Sequence, residues 1–170
     1  MARIILITGG ARSGKSSYAE HLALEISGRP VYLATAHIWD EEFRERVRIH
    51  QQRRGDQWTL VEEELYLSRH DFTGRTVLVD CITLWATNFF SRGENPSFEE
   101  TLDAMKEEFD RLTSQDATFI FVTNEIGMGG TSDNALQRRF TDLQGWMNQY
   151  VASRADEVTL MVSGIPLKVK

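Results

Sequence analysis

Apolar residues fall along this chain in two rhythms, short unbroken runs and longer stretches with helical spacing. The runs are Ile4-Ile5-Leu6-Ile7, Val31-Tyr32-Leu33, Val77-Leu78-Val79, Phe119-Ile120-Phe121-Val122 and Val158 to Val162. Each is short, rich in β-branched or aromatic residues, and bounded by polar residues or glycine, as for strands buried on both faces. The predicted strands are therefore 3–8, 31–35, 76–80, 117–123 and 157–162, with a weaker one at 58–61. Residues 166–170 are expected to fold back on the last strand after Gly164.

Between the runs the period lengthens. A helix is predicted from the segment after residue 14 to about Ser27, with Gly28 at its C-terminal end and Pro30 just beyond. A second runs from an N-capping Asp40, with Glu41 and Glu42 in its first turn, to about Arg54. Residues 62–69 read as a short helix, 81–90 as a largely buried one, and 92–97 as a loop. Phe98, Leu102, Met105, Phe109 and Leu112 mark an amphipathic helix, as do Leu136, Phe140, Leu143, Met147 and Tyr150 or Val151. The stripes are read as core. Residues 124–130, with three glycines, form a loop. Strands alternating with helices imply an α/β fold: a three-layer nucleotide-binding domain on a mostly parallel sheet, with an antiparallel hairpin at the C-terminal edge.

Composition narrows the class. At 170 residues, 41% apolar and 26% charged, this is expected to be one globular domain spanning residues 1–170. A net charge of −6 argues against a nucleic-acid partner. The single cysteine, Cys81, excludes an internal disulfide framework and suits a reducing cytoplasm. No run approaches the length of a membrane span, and a strand that begins within three residues of Met1 leaves no room for a signal peptide. The expected location is the cytoplasm.

The first strand leads into Gly9-Gly10-Ala11-Arg12-Ser13-Gly14-Lys15-Ser16, which fits the phosphate-binding pattern G-x-x-x-x-G-K-[ST]. Glycines let successive amides turn toward phosphate oxygens, and the following helix points its positive end at the same anion. Lys15 suits the β/γ oxygens, and the Ser16 hydroxyl suits one position on Mg2+. Ligands of open α/β sheets lie beyond the carboxyl ends of the strands, which selects Thr35, Asp80, Thr123-Asn124-Glu125 and Ser163 as well. Asp80 has the form of a second magnesium carboxylate; the alternative is an aspartate capping the next helix. Asn124 and Glu125 either contact substrate or satisfy loop backbone. Cys81 sits at a helix start, where a thiol pKa can fall, but buried cysteines are ordinarily inert.

Arg46, His50 and Arg54 stand four apart, with Arg53 beside them. Cations around an imidazole hold it neutral, and such a group is suited to attack a phosphorus whose oxygens those cations neutralise. A solvated charged helix with an incidental histidine is the bland alternative.

Together, the loop from Thr8 to Ser16, Arg46-x-x-x-His50-x-x-x-Arg54-x-x-x-Trp58, Val79-Asp80-Cys81-Ile82-Thr83-Leu84-Trp85-x-Thr87-Asn88 and Val122-Thr123-Asn124-Glu125-Ile126-Gly127-Met128-Gly129 resemble one family. It is the bifunctional adenosylcobinamide kinase/adenosylcobinamide-phosphate guanylyltransferase family of cobalamin biosynthesis, and the resemblance runs essentially the whole chain. It implies phosphorylation of the aminopropanol hydroxyl of adenosylcobinamide by ATP or GTP. GMP then passes from GTP, through a guanylylated histidine, to the new phosphate. The histidine falls on His50, with Lys15 also catalytic. The nucleotide contacts fall on Gly9, Gly10, Ala11, Arg12, Ser13, Gly14, Lys15, Ser16, Thr35, Ala36, His37, Gln51, Gln52, Arg53, Arg54, Glu62 and Asp80. Mg2+ would sit on Ser16 and Asp80, and the partners implied are a corrinoid and further copies of the chain, commonly a trimer. One departure stands out: Gly55 replaces the usual proline after Arg54. A kinase without a covalent step, or a non-catalytic nucleotide switch, are the competing expectations; the switch lacks its Asn-Lys-x-Asp guanine motif.

Overall fold

The structure is a computed structural model. It describes residues 1–52, 54–92 and 97–170, excepting the side chains of Arg46, His50 and Gln51. Seven strands form one sheet: β1 (Arg3–Gly9), β2 (Val31–Ala34), β3 (Thr59–Glu62), β4 (Thr76–Asp80), β5 (Thr118–Asn124), β6 (Glu157–Val162) and β7 (Ile165–Lys168). Their order is β3-β2-β4-β5-β1-β6-β7, parallel throughout except for the antiparallel β6–β7 edge hairpin. The helices are α1 (Lys15–Ile26), α2 (Glu41–Gln52), α3 (Ile82–Phe90), α4 (Phe98–Thr113) and α5 (Ala135–Arg154).

Strand alternation divides the core. Ile5 and Ile7 face α1, packing with Ala19, Ala23, Leu78, Ile120 and Val122. Ile4 and Leu6 face the other way, toward Trp85, Met105, Phe109, Leu143 and Met147 of α3, α4 and α5. Parallel strands covered on both sides must be apolar on both sides, which explains the unbroken runs. Among the described residues, no helix is long and apolar enough to cross a membrane.

Several expectations shift. Residues 62–69 are not a helix: β3 runs through Glu62, and only a 3₁₀ turn, Leu67–Arg69, follows. The Glu63 carboxylate accepts from the amides of Leu65 and Tyr66, at 3.0 and 3.1 Å, and so takes donors that a helix would need. Helix α1 ends at Ile26, where Ser27 turns extended, so Gly28 is not its cap. In α5 the apolar stripe is buried only from Leu143 onward, and Leu136 is exposed. Residues 93–96 of the expected 92–97 loop lie outside the described residues. Ser97 is the N-cap of α4, in a reciprocal capping box with Glu100.

Candidate functional site

The carboxyl ends of β1, β4 and β5 converge because β5 is the strand between the other two. Beyond β1 the chain wraps from Gly9 into α1. A Cβ on Gly9 would lie 2.6 Å from Ser13 Oγ and 2.9 Å from the Met161 carbonyl, so only glycine fits this close approach. The loop is also tied to the edge hairpin, since the Gly164 amide donates to the Ser13 carbonyl at 2.8 Å. Ser163 therefore stands beside the phosphate loop as part of the turn that braces it.

Lys15 is buried and donates from Nζ to the Gly10 carbonyl at 2.8 Å. Burial lowers its pKa from the ordinary lysine value, and the nearby Cys81 and Asp80 act in the opposite direction. Ser13 Oγ is buried without a hydrogen-bond partner. An orphaned buried hydroxyl in this loop is the kind of group a phosphate oxygen would satisfy.

Asp80 closes β4. It does not cap the next helix: Cys81 does, its sulfur accepting from the Leu84 amide at 3.5 Å. Burial and then the charge of Asp80 push the Cys81 thiol up to about 12, which makes it inert. Asp80 Oδ2 accepts from the Tyr32 hydroxyl, whose pKa is raised well above the ordinary tyrosine value by burial first and Asp80 second. Tyr32 is thus a permanent donor. The Arg54 guanidinium stacks on its ring, with the carbon 3.3 Å from the centroid, and Trp58 meets the same ring edge-on. Arg54 Nη1 is buried without a hydrogen-bond partner, with Glu20 Oε1 at 3.7 Å. Ser16, Ser17, Glu20, His21, Arg54 and Trp58 line a cavity of about 320 Å³ between the start of α1 and this segment.

Helix α2 stops at Gln52, and Gly55 has a φ of +63°. The Arg54 side chain lies on Tyr32. The cap expectation holds, because Asp40 Oδ1 accepts from the Phe43 amide at 2.7 Å. The side chains of His50 and Gln51, and all of Arg53, lie outside the described residues.

Other nucleotide candidates have different surroundings. Thr35 is fully buried, and its hydroxyl lies 3.1 and 2.9 Å from the carbonyls of Asp80 and Cys81 while accepting from the Cys81 amide at 2.9 Å. It fixes the backbone on which Asp80 stands. His37, beyond half-buried Ala36, has Nδ1 2.9 Å from both Glu64 carboxylate oxygens. Gln52 is exposed, as is Glu62, whose strand β3 is two places from β4. Among the described residues no cluster of three or more His, Cys, Asp or Glu could hold a metal. Magnesium needs no such cluster, since it keeps waters and takes one or two protein oxygens plus phosphates, and Ser16 with Asp80 fits that donor set.

The sequence did not single out Tyr32, Glu20 or the contacts of Glu125. The Glu125 amide donates to the Gly9 carbonyl at 3.0 Å, and Glu125 Oε1 accepts from the Thr8 hydroxyl at 2.6 Å. Behind it, Gln144 Nε2 donates to the Asn124 carbonyl at 3.0 Å and to Thr83 Oγ1, and the Thr123 hydroxyl donates to Asn148 at 2.7 Å. Polar residues inside the stripe of α5 were the available signal.

A family model described as cobinamide kinase / cobinamide phosphate guanyltransferase matches residues 5–169. The bifunctional adenosylcobalamin biosynthesis protein CobP of Pseudomonas aeruginosa is 38% identical over 169 residues, covering 97% of this chain and 96% of that protein. The corresponding CobU proteins of Escherichia coli and Salmonella typhimurium are 38% and 36% identical, covering 98% of this chain and 99% of each. Among solved structures, an ATPase of the type III secretion system of pathogenic bacteria superposes with a TM-score of 0.57 at 14% identity, covering 93% of this chain and 50% of that one. A second solved ATPase domain gives 0.53 at 12%, covering 93% and 68%. These distant structures share the fold alone.

Proposed function

The chain belongs to the cobinamide kinase / cobinamide phosphate guanyltransferase family, a bifunctional enzyme of cobalamin biosynthesis, and from that premise we propose a two-stage reaction centred on the phosphate loop and His50. In the first stage the hydroxyl of adenosylcobinamide attacks the γ-phosphorus of ATP or GTP. In the second, a ring nitrogen of His50 attacks the α-phosphorus of GTP, the bond to the β-phosphate oxygen breaks, and pyrophosphate leaves. A phosphate oxygen of adenosylcobinamide phosphate then displaces the histidine, giving adenosylcobinamide-GDP. A covalent intermediate divides one difficult transfer into two displacements.

The observation that carries this reading is the stack of Arg54 on Tyr32, together with the hydrogen bond from Tyr32 to Asp80. It docks the chain just after α2 at the end of β4, four residues past His50, on the side where α1 begins. The buried, orphaned Nη1 of Arg54 and Oγ of Ser13 then become donors to the triphosphate. The backbone of Gly9 to Ser16 holds the β/γ-phosphates, Lys15 neutralises them, and Arg53, Gln51, Gln52, Ala36, His37 and Glu62 surround the nucleoside, while buried Thr35 fixes the backbone of Asp80. Ser16 and Asp80 would hold Mg2+, which when bound spreads the charge of the phosphate oxygens.

Incubation with α-labelled GTP tests this directly. Label is expected on the protein, on the peptide containing His50, and is expected to be absent from His50→Ala while phosphorylation of cobinamide persists. Label elsewhere, or none on a protein that still makes cobinamide-GDP, overturns the covalent route.

A further inference from the structure

A cavity of about 510 Å³ lies between residues 127–132 and α5, lined by Gly127, Thr131, Arg138, Asp142 and Trp146 among others. It belongs to the face of the sheet covered by α3, α4 and α5, whereas the cavity beside Ser16 and Arg54 belongs to α1, which covers the opposite face. Gly127, on its wall, is two residues past Glu125. Glu125 itself follows the last residue of the strand that separates the phosphate loop from Asp80.

From this placement we infer that the cavity beside α5 is the seat of the corrinoid acceptor, and that Glu125 receives the proton of its hydroxyl in the kinase step. The inference rests on the reaction proposed above and adds where its second substrate binds. In-line phosphoryl transfer needs the attacking oxygen opposite the leaving diphosphate, so donor and acceptor must approach from different sides of the phosphate loop. The two cavities supply those sides.

The chemistry of the walls fits the ligand class. A corrinoid presents a broad apolar face rimmed by carboxamides. Trp146 is 55% exposed on the cavity wall. Large apolar groups held in water on a cavity edge favour a flat apolar ligand. Arg138 Nη1 donates to the carbonyls of Ser132 and Asp133, each at 2.9 Å, which fixes the loop; Thr131 and Asp142 offer polar groups to an amide rim. At the β5 end, the Thr8 hydroxyl and the Gly9 carbonyl anchor Glu125 through Oε1 and its amide. The step balances: hydroxyl oxygen to γ-phosphorus forms, γ-phosphorus to β,γ-bridging oxygen breaks, the nucleoside diphosphate leaves, and the hydroxyl proton passes to the carboxylate and then to water.

The test separates binding from proton transfer. For Trp146→Ala, KM for cobinamide is expected to rise about tenfold or more, with protein labelling by α-labelled GTP unchanged within about twofold. For Glu125→Gln, kcat of phosphorylation is expected to fall about a hundredfold at nearly unchanged KM, with the acid limb of its pH profile gone and GTP labelling kept. Retained labelling also reports a folded protein. Thr8→Val is expected to keep the acid limb. The inference is overturned if Trp146→Ala leaves KM unchanged, including the case where it only alters oligomer size on gel filtration. It is equally overturned if Glu125→Gln loses labelling and phosphorylation alike, or if Thr8→Val reproduces the lost limb. A wild-type protein that phosphorylates no cobinamide would instead overturn the reaction itself.

Discussion

The Arg54 guanidinium lies 3.3 Å from the centroid of the Tyr32 ring, and the Tyr32 hydroxyl donates to Asp80. A residue just after the histidine-bearing helix is thereby coupled to the carboxylate at the end of β4. Tyr32→Phe keeps the stacking ring and removes only the donor to Asp80. A hydrogen bond to a charged group contributes roughly 1.5–3 kcal/mol, so a loss of about tenfold or more is expected in both half-reactions, because Asp80 serves both. Arg54→Lys removes the planar stack and should reduce GTP labelling more than phosphorylation. Parallel assays of the two half-reactions check the split.

The turn after α2 yields a backbone prediction. Gly55 has a φ of +63°, a region that proline cannot enter and that other residues occupy at a cost of about 1–3 kcal/mol. The proline usual at this position in the resembling family is therefore incompatible with the turn found here. Gly55→Pro should abolish GTP labelling by displacing Arg54, while Gly55→Ala should lower the melting temperature by a few degrees; scanning calorimetry and labelling together test this.

Cys81 gives a pH prediction. Its thiol is pushed from the ordinary value of 9.0 to about 12 by burial and by Asp80. Between those values an unfolded chain would have released this proton while the folded chain keeps it, so the folded state binds more protons. Stability then falls as pH rises from 9 toward 12. Below that window the group contributes no slope. A chromogenic disulfide reagent at about pH 8 should find no reactive thiol in the native protein and one in the denatured protein, since the chain has one cysteine and it is buried. Rapid reaction of the native protein under those conditions would contradict this.

Local pattern made the sheet legible. Runs such as Ile4 to Ile7 could only be strands covered on both faces, and the edge hairpin followed from Gly164. Where a side chain competed for backbone donors the pattern misled, as with Glu63 and residues 62–69. Periodicity also cannot tell where a helix outruns its neighbours, so Leu136 looked like core and is exposed. At the site, the phosphate loop was contiguous and therefore readable. The link of Arg54 to Tyr32 joins residues from different elements, and nothing in spacing announces it. Thr35 shows the complementary limit: the strand-end rule selected it by position, yet its hydroxyl is occupied with the backbone of Asp80 and Cys81.

The polar cluster behind Glu125 is the place where stability and site geometry meet. Gln144 is wholly buried, and its amide nitrogen donates to the Asn124 carbonyl and to Thr83 Oγ1, joining α5 to β5 and α3. Asn148 adds a second link, from Nδ2 to the same carbonyl at 3.3 Å. Gln144→Leu conserves volume but removes the donors, leaving the Asn124 carbonyl with only that longer bond. Thr83 Oγ1 likewise keeps its donors from the Asn124 amide and side chain, and Gln144 Oε1 is itself buried without a partner, so the loss is the net worth of two hydrogen bonds, roughly 1–3 kcal/mol. At about 2–4 °C per kcal/mol for a chain of this size, the melting temperature should fall by roughly 2–12 °C. Because the loosened strand end carries Glu125, phosphorylation of cobinamide should fall more than GTP labelling when both are measured well below the melting transition. An equal fall in the two would mean that the cluster supports the fold without positioning the tip of β5.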